Sequence, residues 1–123
     1  MAKSGVWIYG IKNCDQVRKA RKFLANNDIA YEFHDFRADG LTGEMLDQWL
    51  SHVPWDSLLN RRGTTWRKME ESARQAVVDQ QSARDVMLAE PTLIKRPVMT
   101  VGDDVLVGFS ESVYQRTLKL PSP

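Results

Sequence analysis

The residue best equipped for chemistry in this chain is its single cysteine, Cys14. It lies in Ile11-Lys12-Asn13-Cys14-Asp15, after a short apolar run and before a segment of helical periodicity. A cysteine placed there ends a strand and opens a helix. Unpaired N–H groups and the helix dipole at such a start favour an anion, and a thiolate is one. This placement lowers a thiol pKa from about 8.5 into roughly the 3.5–7.5 range. Lys12 adds positive charge nearby, as does Arg18 one turn into the helix. Free cysteine is often an inert core residue, but the polar neighbours Lys12, Asn13 and Asp15 point to a reactive thiol.

Spacing then restricts the chemistry. Three residues on stands Val17, so there is no C-x-x-C pair and no dithiol cycle within one chain. If Cys14 attacks a disulfide or an oxidant, it ends as a mixed disulfide or a sulfenic acid. A thiol from another molecule must release it, and glutathione is the default cytosolic candidate. Ala20 stands where the C-x5-R loop of cysteine-dependent phosphatases needs arginine. One cysteine cannot form an internal disulfide. With only His34 and His52 beside it, a His/Cys metal cluster is not expected, and neither histidine is given a role.

The elements that must position Cys14 follow from periodicity. Val6-Trp7-Ile8-Tyr9 reads as a buried strand stopped by Gly10. Val17, Ala20, Phe23 and Leu24 then fall on one face of a helix, with Arg18, Lys19, Arg21 and Lys22 mostly outward. Asn26-Asn27-Asp28 ends it. A second strand lies within Ile29–Phe36, alternating from Tyr31 onward. A right-handed parallel crossover is the expected link between the two.

Residues 42–91 read as all-helical. Thr42 caps a helix with Glu44 in its first turn and Met45, Leu46, Trp49 and Leu50 as its stripe. Trp55–Asn60 reads as a turn or short helix. Thr64-Thr65 is expected to cap a further stretch, and Ser82-Ala83-Arg84-Asp85 resembles a capping box. Pro91 stops the last helix. Trp49, Trp55, Trp66, Met69 and Met87 are read as core of this part rather than as a cofactor box.

The chain then returns to strands. Val98–Val101 and Val105–Val107 flank Gly102-Asp103-Asp104 as a hairpin. Ser110 and Glu111 open a short final helix with Val113, Tyr114 and Leu118 as its apolar side. The tail Pro121-Ser122-Pro123 is expected to fray. The order βαβ, helices, ββα predicts an α/β fold: a thioredoxin-like four-stranded mixed sheet with an all-helical insertion. The chain reads as a single domain over 1–123. Its core is expected at about 6–40 and 92–120, with the insertion at about 42–91.

In a sheet of that kind, the start of the third strand faces the cysteine. Arg96-Pro97 stands there, and a proline at a strand start can be cis at a cost of about 0.5–1 kcal/mol. Its backbone is then placed to pair with a bound peptide-like thiol. The alternative is that Pro97 only marks the strand boundary. Arg96, Lys95 and the Arg61-Arg62 pair are candidates for an anion cradle; each taken alone is more often a solvated charge.

Composition sets the outer limits. A chain of 123 residues is one ordinary domain. Lys+Arg number 17 and Asp+Glu 16, a net charge of +1, so it lacks the basic excess of a generic nucleic-acid binder. The start offers only the short apolar run Val6–Gly10, too short for a signal peptide or a membrane helix. The expectation is a soluble, cytoplasmic protein with no membrane partner and no metal.

Three segments carry a family resemblance. They are Ile8-Tyr9-Gly10-Ile11-Lys12-Asn13-Cys14-Asp15, Leu58-Leu59-Asn60-Arg61-Arg62-Gly63-Thr64-Thr65-Trp66-Arg67-Lys68 and Leu93-Ile94-Lys95-Arg96-Pro97-Val98. In that order they resemble the ArsC/Spx family, and within it most closely the YffB branch, over about residues 6–118. The resemblance implies a thioredoxin-like fold with a helical insertion. Arsenate reductases of the family use a cysteine after the first strand, matched by Cys14, and an arginine before the proline, matched by Arg96. They also use an arginine in the insertion, matched by Arg62 or Arg61. A further late arginine has no counterpart in Val107-Gly108-Phe109-Ser110, a departure from the arsenate pattern. The Spx regulators bind RNA polymerase and often carry C-x-x-C, where this chain has Val17. The YffB branch implies a glutathione-dependent thiol reductase.

Together these readings predict a monothiol oxidoreductase. Cys14 and Arg96 are the catalytic candidates. Lys12, Asn13, Arg61, Arg62 and Pro97 are the candidates for binding substrate or glutathione. The expected partners are glutathione as co-substrate, a small oxidised or anionic substrate and, as a further candidate, glutaredoxin. The alternatives are an RNA polymerase-binding regulator and an arsenate reductase proper.

Overall fold

Alternation organises the first strand. In a computed structural model, whose described residues are 5–120, β1 spans Val6–Gly10 with Val6, Ile8 and Gly10 buried. Trp7 and Tyr9 point to the other face and stack at 5.9 Å between ring centroids. The buried face receives α1, Asp15–Asn26, through Val17, Ala20, Phe23 and Leu24. These are the four residues that helical spacing selects. Met99 and Tyr114 complete this core.

The second strand, β2, is Glu32–Asp35, shorter than the apolar pattern suggests. Its start is delayed because the end of α1 runs on. Asp28 adopts a positive φ of 58°, and the Ile29 N–H donates to the Leu24 carbonyl at 2.9 Å. β3 is Val98–Val101 and β4 is Asp104–Val107. The sheet order is β2-β1-β3-β4. β1 runs parallel to β2 and antiparallel to β3, and β3 runs antiparallel to β4. This is the mixed, thioredoxin-like α/β sheet that the element order implies. The hairpin turn is one residue shorter than expected, because Asp104 pairs with Val101 and leaves Gly102-Asp103 as the loop. Gly102 supplies the positive φ of 56° that the first position of a II′ turn requires. After Ser110, whose hydroxyl accepts from the Val113 N–H at 3.4 Å, α7 runs Glu111–Thr117. Residues 121–123, expected to fray, lie outside the described residues.

The chain divides into two compact units. One holds the residues up to Gly40 with those from Arg96 onward; the other is Leu41–Lys95. The second is helical: α2 Gly43–Leu50, α3 Trp55–Leu58, α4 Thr64–Lys68, α5 Glu71–Gln75 and α6 Gln80–Ala89, then a 3-10 turn at Pro91–Leu93. Thr42 caps α2 as expected, accepting from the Met45 N–H at 3.2 Å. Leu46, Trp49, Leu58, Met87 and Ile94 are among its fully buried residues, while Trp55, Trp66 and Met69 are half-buried.

Two expected caps move. Gly63, not a threonine, caps α4, so Thr64 is already helical and the Thr65 hydroxyl instead meets that of Thr92 at 3.1 Å. The capping box of α6 uses Ser82 as its third helical residue, with Asp79 as the cap. The Ser82 N–H donates to Asp79 Oδ1 at 2.9 Å, and the Asp79 N–H donates to Ser82 Oγ at 3.1 Å. That register satisfies both orphan donors reciprocally. Residues 92–95, grouped by the sequence with the strands, cluster instead with the helices. The Asn60 N–H donates to the Leu93 carbonyl at 2.7 Å, and the Lys95 N–H to the Leu58 carbonyl at 2.8 Å. Among the described residues no helix is long and apolar enough to cross a membrane.

Candidate functional site

Cys14 is the N-cap of α1, with extended backbone at φ −87° and ψ 131°. The turn that leads to it closes when the Cys14 N–H donates to the Ile11 carbonyl at 3.1 Å. The first helical bond then runs from the Arg18 N–H to the Cys14 carbonyl at 3.0 Å. The thiol is half-buried and free. Gly10 allows the close approach behind it: a Cβ on Gly10 would lie 2.6 Å from Val17 Cγ2. Strand end and helix start are therefore in direct packing contact.

Two opposed effects set the acidity of the thiol. Burial pushes its pKa up. The Val17 N–H, the Arg96 guanidinium and the Gln16 N–H outweigh that and hold it below the ordinary thiol value. The sulfur makes no side-chain capping bond of regular geometry, so the helix start acts on it as a cluster of N–H dipoles. Arg96 acts as hydrogen-bond donor and as charge.

Arg96 reaches this place through the sheet. β1 and β3 pair with Tyr9 opposite Val98. Continuing that register sets Pro97 level with Gly10, the last residue of β1, and Arg96 just past it, on the side where Cys14 follows. The Arg96–Pro97 peptide is cis. The Pro97 carbonyl accepts from the Gly108 N–H at 2.8 Å, so the β3–β4 ladder continues one residue before Val98. Arg96 is half-buried and Pro97 buried.

The other expected cations are placed differently. Arg18 pairs with Asp15 across one helical turn and is not among the groups that lower the thiol pKa. Lys12 and Asn13 are exposed. The Lys12 backbone N–H donates to Asp35 Oδ2 at 3.0 Å. Arg96, far along the chain, is thus the cation bearing on the sulfur, in place of the sequence neighbours Lys12 and Arg18.

Asp35 was not singled out from the sequence. It closes β2, and its carboxylate also accepts from the Arg37 N–H at 2.7 Å and the Ala38 N–H at 3.2 Å. Burial pushes its pKa up, but these donors together with the Lys12 N–H outweigh that and hold it below the usual carboxylate range. An aspartate followed by a turn is the available signal; its link to the Lys12–Cys14 loop is tertiary. His34 has a local role, its Nε2 lying 2.6 Å from the Gly40 carbonyl oxygen.

In the helical unit, Arg61, Arg62 and Lys95 line one open cleft of about 290 Å³ with Asp56 and Leu59. The Arg61 guanidinium lies 5.8 Å from the Trp55 ring centroid. The Arg62 N–H donates to Asn60 Oδ1 at 3.0 Å, and its carbonyl accepts from Arg67 at 2.9 Å. The helical unit thus gathers three of the four cations read as an anion cradle, while Arg96 is held in the unit of Cys14.

The ArsC family model matches residues 9–117. A solved arsenate reductase (ArsC) related protein of Brucella melitensis is 48% identical with a TM-score of 0.74, covering 98% of this chain and 99% of its own. A solved YFFB protein is 43% identical with a TM-score of 0.87, covering 92% of this chain and 98% of its own. The global transcriptional regulator Spx of Lactiplantibacillus plantarum is 23% identical over 115 residues, 92% of this chain and 86% of that one.

Proposed function

The chain belongs to the ArsC family, and from that premise we propose that it is a glutathione-dependent monothiol reductase with Cys14 as nucleophile. The observation that carries this reading is the lowered pKa of a half-buried thiol at a helix start, with the Arg96 guanidinium beside it. That combination maintains a thiolate nearer neutral pH than a free cysteine does.

The Cys14 thiolate attacks one sulfur of a substrate disulfide. The substrate S–S bond breaks, a Cys14–S–S bond forms, and the departing thiolate takes a proton from solvent. Glutathione thiolate then attacks the mixed disulfide. Where the captured group is itself glutathionyl, this step releases Cys14 thiolate and glutathione disulfide. The substrate gains two electrons and glutathione loses them. Val17 in the resolving position supports the need for an external thiol. Arg96 stabilises the thiolate as attacker and as leaving group. Lys12 and Asn13 are assigned to contact the incoming molecule beside Cys14. Pro97 is assigned to shape the floor next to Arg96. The cleft of Arg61 and Arg62 is assigned to carboxylate or oxyanion binding within the helical unit.

The test is turnover of a glutathionylated peptide with glutathione as reductant, alongside an NMR titration with glutathione. Cys14→Ser abolishes turnover, and glutathione shifts resonances at Cys14, Arg96 and Pro97. Retained turnover in Cys14→Ser overturns the assignment.

A second reading, a regulator acting by protein binding, rests on the likeness to Spx. A stable complex with the RNA polymerase α subunit, formed equally by Cys14→Ser, favours that reading. Arsenate as substrate has less support, since Val107-Gly108-Phe109-Ser110 holds no arginine where the family's arsenate enzymes carry one.

A further inference from the structure

The outer side of α1 carries a groove that the thiol chemistry does not use. Gln16, Lys19 and Lys22 line one side and Glu111 the other, with Phe23 and Phe109 between them, around a volume of about 540 Å³. The groove begins two residues after Cys14 and ends at Asn26. At 1.5 Å per helical residue that is roughly 15 Å, the reach of about five extended residues. It is longer than a tripeptide needs.

Its charge is selective. Arg18 is paired with Asp15. Arg21 is turned onto β2 and the residue before it, with its guanidinium 4.1 Å from the Phe33 centroid and its Nε 3.1 Å from the Tyr31 hydroxyl. Lys19 and Lys22 are exposed and, among the described residues, have no ion-pair partner. Glu111 is the single acid on the rim. The floor is aromatic and fixed: Phe109 packs edge-on to Phe23 at 5.8 Å and to Tyr114 at 4.9 Å. Two unpaired ammonium groups above a rigid apolar floor suit a strand that alternates acidic and apolar side chains.

We infer that this groove docks an acidic, apolar-bearing extended segment of a partner protein. That the partner is a disulfide substrate delivered to Cys14 rests on the function proposed above; the docking itself does not. Fluorescein-labelled peptides alternating leucine with aspartate, lysine or serine are titrated by anisotropy into the Cys14→Ser protein, which excludes covalent capture. The aspartate peptide is expected to bind at least about tenfold tighter than the other two, and to weaken as salt rises. Lys19→Glu with Lys22→Glu lowers its affinity roughly tenfold, and Lys19→Gln with Lys22→Gln lowers it less. Circular dichroism checks that both variants fold. Equal binding of the three peptides, no binding of any, or no change in the lysine variants overturns the proposal. Reaction of the unmodified protein with 2-hydroxyethyl disulfide, a neutral probe, tests the thiol separately. Absence of that reaction with docking intact rejects the redox reading alone; reaction without docking rejects this inference alone.

Discussion

Gly10→Ala probes the contact on which the geometry of Cys14 depends. The added Cβ comes 2.6 Å from Val17 Cγ2, 3.6 Å from Cγ1 and 3.7 Å from Cβ. Carbon atoms in contact sit at about 3.5–4.0 Å, so roughly 1 Å must be recovered. Val17 is fully buried. As a β-branched residue in a helix it has essentially one rotamer and cannot swing aside. The start of α1 must lift off β1. Overpacking of this kind costs about 1–3 kcal/mol, and the lower chain entropy of alanine returns about 0.5–1 kcal/mol. The expected net loss is about 1–2 kcal/mol. Urea unfolding should show a lower midpoint at unchanged slope. In a Val17→Ala background, where both γ carbons are gone, the added methyl should cost little. The entropy gain is common to both backgrounds, so the coupling between the two sites is the overpacking cost itself, about 1–3 kcal/mol. The Val17 N–H is one of the donors that lower the Cys14 pKa, so Gly10→Ala should also raise the midpoint of Cys14 alkylation against pH. Wild-type stability for Gly10→Ala, or an equal loss in both backgrounds, would falsify the packing argument.

Four further outcomes are expected. Alkylation of Cys14 by iodoacetamide should reach half its plateau at a pH below that of an ordinary free thiol, and Arg96→Gln should move that midpoint up; an unmoved midpoint removes Arg96 from the thiolate. Because the folded pKa is the lower one, the thiolate stabilises the fold fully only above the unfolded thiol pKa, and loses that effect as pH falls through the folded value. Urea titrations of wild type and Cys14→Ser should therefore separate progressively at alkaline pH. Asp35→Ala should free the Lys12 amide to exchange with solvent faster and cost about 1 kcal/mol after solvent screening; unchanged exchange at Lys12 counts against Asp35 as the anchor of this loop. Tyr114 is fully buried and its hydroxyl has no hydrogen-bond partner among the described residues. Tyr114→Phe should raise stability by about 1 kcal/mol and the melting temperature by a few degrees, and a lower melting temperature would mean that the hydroxyl is satisfied.

Much of this was legible from local pattern, because local pattern is what short-range physics acts on. The burial of Val17, Ala20, Phe23 and Leu24 follows from helical spacing alone. The Thr42 cap follows from hydroxyl chemistry at a helix start. Local pattern misled where two registers competed. Ser82 fits a capping box as its first residue or its last, and Asp79 decides between them because its carboxylate and Ser82 satisfy each other. The hairpin loop lost a residue because pairing Asp104 with Val101 gains a ladder position.

At the candidate site the division is sharper. Sequence alone determined that there is one thiol, that it stands between the first strand and the first helix, and that Val17 rather than a second cysteine follows it. Those are facts of spacing, and they already restrict the chemistry to a monothiol. Tertiary structure decided which charge the thiol meets. Lys12 and Arg18 are near in sequence, but one is exposed with its N–H bonded to Asp35, and the other is paired with Asp15. Arg96 acts on the sulfur because antiparallel pairing of β1 with β3 sets Pro97 level with Gly10 and Arg96 just beyond the end of β1. Charge interactions act through space, and only sheet register converts that sequence separation into contact.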